Sequence, residues 1–322
     1  MTFNRRSATV ALAWFAPLVL AAQTAYPNKP IRVIVPFAAG STTDIIARAI
    51  ADKMGAGLGQ ALIIDNRGGA SGTIGQAAVA NAVPDGYTIM IHSSSHTVSP
   101  STFKTLPFDT INGFMGVSPI ANIPNLLVVP ANSKFNSVKD LVNAAKAKPG
   151  LLNYASAGTG SATHLNAEKF KLAAQFFAVH IPYTGSAGAI TDLMANRVDY
   201  YFSPAAAAIP FINANTLRPL AVGSSKRIAV LPNVPTTAEA GVKDSEFNFW
   251  IGMMAPAKTP PEIVKRLNAE VIKALNTPEV KERFARLGAD AWTLSPEQFD
   301  DYIKAEVRSN ADLVKAARLD VQ

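Results

Sequence analysis

The residues with the most chemical promise lie in two short loops of glycine, serine and threonine. One is Ala38-Ala39-Gly40-Ser41-Thr42-Thr43-Asp44, directly after Phe37. The other is Ser156-Ala157-Gly158-Thr159-Gly160-Ser161-Ala162-Thr163, directly before His164. Each follows a strand pattern and precedes a helix pattern. A loop so placed offers unpaired backbone N–H groups and the positive end of a helix dipole, and both favour a carboxylate or phosphate. Gly40, Gly158 and Gly160 allow close backbone approach, while Ser41, Thr42, Thr43, Thr159, Ser161 and Thr163 add neutral donors. Neither loop carries Lys or Arg, so the expected anion is a modest carboxylate held by amides and water. Two such loops at strand ends, where α/β sheets place ligands, would face each other and clamp one small anion.

Three other chemistries fit less well. Gly158-x-Gly160-x-x-Thr163 partly matches a dinucleotide fingerprint, but His180 and Tyr183 stand where an acidic ribose partner should end the next strand. Ser161 and His164 suggest a hydrolase, yet the Gly-x-Ser-x-Gly elbow is absent, and three residues along a helix is a poor nucleophile–base spacing. Ser161 is better read as a donor and His164 as a packed or capping residue. His92 and His96 bracket Ser93-Ser94-Ser95 with the spacing of a helical metal pair. They fall at a strand end and lack a third ligand, so a hydroxyl-rich loop lining the cleft is expected there. No metal, cofactor or catalytic residue is assigned.

The elements that must position these loops form two series. Ile31 to Val35 reads as a buried strand, followed by the first loop and an apolar helix pattern (Ile45, Ile46, Ala49, Ile50, Met54) that Gly55, Gly57 and Gly59 should stop. Ala61 to Asp65, Ile74 to Ala82 and Tyr87 to Ile91 continue as strand, helix and strand, the last after the turn Pro84-Asp85-Gly86. This βαβαβ series implies a parallel sheet covered by helices. A second series starts near residue 125 with Leu126 to Val129. The helix Val138 to Lys148 follows, capped by Ser137 with Asp140, and then the strand Leu152 to Ala155. His164 to Ala174 and Ala187 to Ala195 read as helices; Phe177 to Ile181, Val198 to Phe202 and Leu217 to Val222 read as strands.

The final 70 or so residues are helical: one helix opened by Pro260-Pro261, another stopped by Gly288, and a third started by the capping box Ser295-Pro296-Glu297-Gln298. With few strands of their own, they must pack on a sheet already built, so the chain is expected to return to its first lobe near Phe249–Gly252.

The 322 residues exceed what one large domain usually needs; 48% are hydrophobic and 16% charged, which is ample for a core and argues against disorder. The absence of cysteine excludes disulfides and thiolate chemistry. The net charge of +7 is spread among acids, as in Lys281-Glu282-Arg283, and argues against nucleic-acid binding. Arg5 and Arg6 precede an apolar run from Ala8 to Ala22, interrupted by Pro17, with plausible cleavage after Ala21, Ala22 or Ala25. Residues 1–25 therefore read as a secretory signal peptide, too short for a membrane anchor, and a soluble periplasmic protein is expected.

Several motifs together resemble the Bug (TctC-type) family, the substrate-binding receptors of tripartite tricarboxylate transporters. They include Val35-Pro36-Phe37-x-x-Gly40-x-x-x-Asp44, Pro84-Asp85-Gly86-Tyr87-Thr88, Ala155-Ser156-x-Gly158-x-Gly160-Ser161, His180-x-Pro182-Tyr183-x-Gly185 and Leu231-Pro232-x-Val234-Pro235-Thr236. The match runs in order from about Tyr26 to the C-terminus. The resemblance implies a type II periplasmic-binding-protein fold, α/β and two-lobed, with a two-stranded hinge. Lobe 1 would comprise residues 26–122 and 250–322, and lobe 2 residues 123–249. It implies that Phe37 to Asp44 (including Ala39 and Gly40) and Ser156 to His164 grip a carboxylate. Specificity would come from Ser93 to Thr97, Tyr183 to Ser186 and Ser203-Pro204. It also implies a monomer delivering a small organic carboxylate to membrane permease subunits of a tripartite carrier. The alternatives are a receptor that presents its ligand to a sensor kinase, or an exported α/β hydrolase. Ser41 and Asn196 stand where the family usually has glycine, and Ser203-Pro204 where many members carry a polar or acidic residue.

Overall fold

The computed structural model describes residues 26–319; the leader expected at residues 1–25 lies outside them. The first parallel unit is β1 (Ile31–Val35), α1 (Thr42–Leu58), β2 (Leu62–Asn66), α2 (Thr73–Ala80) and β3 (Thr88–Ser93), with β1 paired to both β2 and β3. The β-branched β1 is central, and Ile31, Val33, Ile34 and Val35 are fully buried. Each such side chain contributes about 1.5–3 kcal/mol of hydrophobic stabilisation. After α3 (Ser95–Thr102), β4 (Phe114–Asn122) joins the same sheet.

The chain then crosses to a second sheet. It contains β5 (Asn125–Pro130), β6 (Asn153–Ser156), β7 (Val179–Pro182), β8 (Tyr200–Pro204) and β9 (Leu217–Val222), in the order β7-β6-β8-β5-β9. The helices between these strands are α4 (Val138–Ala147), α5 (Ala162–Ala174), α6 (Ser186–Met194) and α7 (Ala205–Asn213). β10 (Trp250–Pro256) returns to the first sheet and inserts antiparallel between β3 and β4. The helices α8 (Pro261–Leu275), α9 (Pro278–Arg286) and α10 (Pro296–Ala316) then pack back on that sheet, with the short β11 (Asp290–Ala291) completing the order β11-β4-β10-β3-β1-β2. The chain thus passes between the sheets at residues 122–125 and 222–250. The passages touch where the Ile123 N–H donates to the Phe249 carbonyl at 2.8 Å.

Local signals account for most boundaries. Ser41, Ser137, Ser161 and Ser295 each cap a helix by accepting an N–H from the first turn, and Ser295 with Gln298 forms the full capping box. Some expectations fail. α1 continues through Gly55 and Gly57, and only Gly59, at φ 69°, ends it in a left-handed cap. Gly57 is required by packing, since a Cβ there would lie 1.8 Å from a Glu270 carboxylate oxygen. The segment from Ser95 onward is a helix rather than a loop, so His92 lies on β3 and His96 on α3. β4 and α7 were not legible in advance.

Candidate ligand-binding site

The first loop is built around a carboxylate that faces the protein. The Asp44 side chain is buried and accepts from the Gly40 N–H at 2.9 Å, Asn66 Nδ2 at 3.0 Å and Arg48 Nε at 3.0 Å. Burial alone pushes this carboxyl up, but the Arg48, Gly40 and Asn66 hydrogen bonds outweigh it and hold it below its ordinary range. Asp44 N–H is taken by the Ser41 hydroxyl. The N–H groups of Thr42 and Thr43, at the first two helical positions, find no acceptor among the described residues. The buried Thr42 hydroxyl is likewise without a partner.

The second loop is held from behind by two imidazoles. Gly160 N–H donates to His164 Nδ1 at 3.1 Å, and Ser156 Oγ lies 2.6 Å from His180 Nε2 while accepting the Gly158 N–H at 3.1 Å. The two rings stack with centroids 3.8 Å apart. Burial, then the neighbouring His180 and Lys171 charges, push His164 down to about 2; burial and Lys171 push His180 down to about 4. Both rings are neutral supports. His164 Nδ1 is engaged by Gly160, and the Ser161 hydroxyl accepts the His164 backbone N–H at 3.3 Å. Ser161 therefore lacks the ring contact that a nucleophile would need, which counts against the hydrolase alternative.

Both loops open on one small, narrow cavity. Phe37, Ser41, Thr42 and Thr43 come from the first loop and α1; Ala157, Ser161 and Thr163 come from the second loop and α5. Ser93 and Ser95 enter from the end of β3 and the start of α3. Ser186, Pro204 and Phe249 close the remaining wall. Among the described residues, no lining side chain is ionisable.

The hydroxyls are set up as donors. Ser41 and Ser161 each accept a backbone N–H within their own caps, Thr163 Oγ1 accepts Ala157 N–H at 2.9 Å, and Ser186 Oγ accepts the Tyr201 hydroxyl at 3.1 Å. Ser41 and Ser186 keep their O–H protons to give, and Ser161 and Thr163, whose hydroxyl oxygens lie 3.1 Å apart in a mutual hydrogen bond, keep one between them. Such a surface suits a ligand rich in acceptor oxygens.

The remaining expected residues lie outside this wall. Ala39 and Gly40 are exposed, and Asp44 shapes the loop. Gly158, Thr159 and Tyr183 line a more open adjoining pocket with Ser71. Ser156, Gly160 and His164 act as supports, and Ser203 lies behind Pro204 with its hydroxyl 3.4 Å from the Pro204 carbonyl. Phe249 was not anticipated: it arrives from the return passage, distant in sequence from every loop it joins. The turn at Ala70–Gly72 was also missed; its signal is the run Gly68-Gly69-Ala70-Ser71-Gly72, where Ala70 and Ser71 adopt positive φ.

His92 and His96 are fully buried, with ring centroids 5.8 Å apart, and His96 Nδ1 meets Gln76 Oε1 at 2.8 Å. Burial pushes His96 down to about 4; burial, followed by His96, pushes His92 well below its ordinary value. Among the described residues, no group of three or more His, Cys, Asp or Glu side chains could hold a metal ion.

Two α/β lobes with a hydroxyl-lined cavity between their strand ends define a periplasmic-binding-protein fold. Comparison with known proteins gives the family. Residues 46–319 match the model of the tripartite tricarboxylate transporter family receptor, and the chain belongs to this TctC/Bug family. BugT of Bordetella pertussis is 36% identical over 292 residues, covering 90% of each chain. The structure of the periplasmic binding protein BugD superposes with a TM-score of 0.88 at 33% identity, covering 92% of this chain and all of that one. A Rhodopseudomonas palustris protein solved with adipate superposes with a TM-score of 0.88 at 35% identity, covering 92% of this chain and 99% of that one. No helix among the described residues is long and apolar enough to cross a membrane.

Proposed function

We propose that this protein is an extracytoplasmic receptor that binds a small carboxylate in the cavity between its lobes and delivers it to the membrane subunits of a tripartite carrier. The observation that carries this reading is the convergence of the α1 and α5 N-termini on one cavity whose wall, among the described residues, has no ionisable side chain and leaves the buried Thr42 hydroxyl without a partner. Unpaired first-turn N–H groups and the helix dipole stabilise an anion without a cation. The adipate-bound relative supports a carboxylate as the anion.

Lobe 1 in this reading is residues 26–122 and 250–322, and lobe 2 residues 123–249, with the contact between Ile123 and Phe249 as the hinge. The ligand bridges both lobes only when they are closed, so binding shifts the open–closed equilibrium. The site performs no reaction, and the protein is exported to the periplasm by its leader. A thermal-shift screen of the chain from Tyr26 against mono-, di- and tricarboxylates, aromatic acids and amino acids tests the reading. A ligand at 100 times its Kd adds about 2.7 kcal/mol, or several degrees. One chemical class raising the midpoint supports a receptor. No shift with any acid, or esterase turnover lost in Ser161→Ala, overturns it.

A further inference from the structure

The two helix N-termini at the cavity are not equally free. In the first turn of α1, the Asp44 N–H is taken by Ser41, and those of Thr42 and Thr43 find no acceptor among the described residues. In the first turn of α5, His164 N–H is taken by Ser161, and Ala162 N–H is taken from across the cleft by Ser95 Oγ at 3.0 Å. Ser95 is itself buried and lines the cavity. It is fixed by Ser93, whose hydroxyl donates to Ser95 Oγ at 3.1 Å and accepts the Ser95 N–H at 3.4 Å. Both acceptor positions of the Ser95 oxygen are therefore filled, by Ala162 N–H and by Ser93 O–H. All it has left to offer is one O–H proton.

A buried carboxylate without a cation needs several N–H or O–H donors. The free backbone donors that remain, Thr42, Thr43 and Thr163, serve one such group. A second carboxylate would be left with hydroxyl donors alone, because the Ala162 N–H is taken by Ser95, and its charge would meet no ionisable side chain among the described residues of the wall. Resting on the receptor reading above, we infer that Ser95 is a specificity-determining residue that restricts the cleft to acids with a single carboxylate. The opposite end of the ligand carries at most an uncharged acceptor oxygen, such as a hydroxyl or keto group, facing the Ser95 proton. In this respect the chain differs from the relative solved with adipate, a dicarboxylate.

Titration calorimetry on the chain from Tyr26 tests this with pairs matched in carbon count: butyrate against succinate, and 2-hydroxybutyrate against malate. The wild type binds the monoacid of at least one pair about tenfold or more tighter than its diacid. Ser95→Ala, which frees the Ala162 N–H, narrows that ratio by about tenfold, and Ser95→Thr, which keeps the oxygen, restores it. The inference is overturned if the wild type prefers the diacid, a result that needs no variant. It is equally overturned if Ser95→Ala weakens both acids alike, because Ser95 then only holds the lobes together. If none of the four binds, the pair is built instead from the acid that the thermal-shift screen identifies, and if that screen identifies none, the receptor reading falls and takes this inference with it.

Discussion

The Thr42 hydroxyl is buried without a hydrogen-bond partner among the described residues, a condition that costs a folded protein about 1–3 kcal/mol. Replacing it should therefore have opposite effects on stability and on binding. Thr42→Ala leaves the melting temperature of the ligand-free protein unchanged or higher, because an unsatisfied polar atom is removed. The same change weakens ligand binding by about tenfold, the worth of one hydrogen bond to a charged group. Calorimetric affinity and a melting curve on one preparation check both signs. The residues with such roles were legible as types, because Gly, Ser and Thr before a helix announce unpaired N–H groups. Which hydroxyl faces the cavity was not legible. Gly158 and Gly160 looked like open donors, but their N–H groups are taken by Ser156 and His164.

At the scale of elements, closure depends on how near the second loop comes to the other lobe. Gly160 sits at φ 74°, and a Cβ there would lie 2.4 Å from the Thr102 hydroxyl on α3. Gly160→Ala thus disfavours the closed arrangement more than either lobe alone. Affinity falls by an order of magnitude or more, while circular dichroism of the ligand-free protein stays that of the wild type. Periodicity revealed α1 and α8 to α10, whose apolar stripes are local, and the Gly/Ser/Thr loop before it announced α5. It missed α3, Ser-His-Thr-Val-Ser-Pro-Ser-Thr, which has no apolar stripe and carries Pro100. That helix is held by tertiary contacts: Thr97 donates to Glu306 at 2.8 Å and accepts from Asn310 at 2.9 Å, both on α10. β4 was hidden by Gly116 and Pro119, which its bulged pairing with β10 tolerates.

The whole molecule should be sensitive to acid. All four histidines are held neutral by burial: His96 and His180 at about 4, His164 at about 2, and His92 well below its ordinary value. In the unfolded chain they take protons near pH 6.5. As pH falls below 6.5, the unfolded state binds protons that the folded state refuses, and stability is lost at on the order of 1.4 kcal/mol per pH unit for each histidine. Glu306 acts the other way. Burial raises it to about 7 despite hydrogen bonds from Thr97, Trp250 and Tyr302, so it takes up a proton first in the folded state and offsets about one histidine. The net sign is destabilising. Melting temperature is predicted to fall steeply between pH 6.5 and 5; a flat profile there would show that the histidines titrate normally in the fold. The two-series organisation of the chain was readable from its strand–loop–helix repeats. The placement of Phe249 in the cavity wall was not, because it depends on where the return passage meets the cleft.

The most direct test of the account is a crystal structure of the chain from Tyr26 with the acid that the thermal-shift screen identifies. The predicted result is a carboxylate within hydrogen-bonding distance of the Thr42 and Thr43 N–H groups and enclosed by α5 from the second lobe. An acid bound elsewhere, for example in the surface groove beside Lys146 and Phe177, with the cavity between the lobes unchanged, would contradict it.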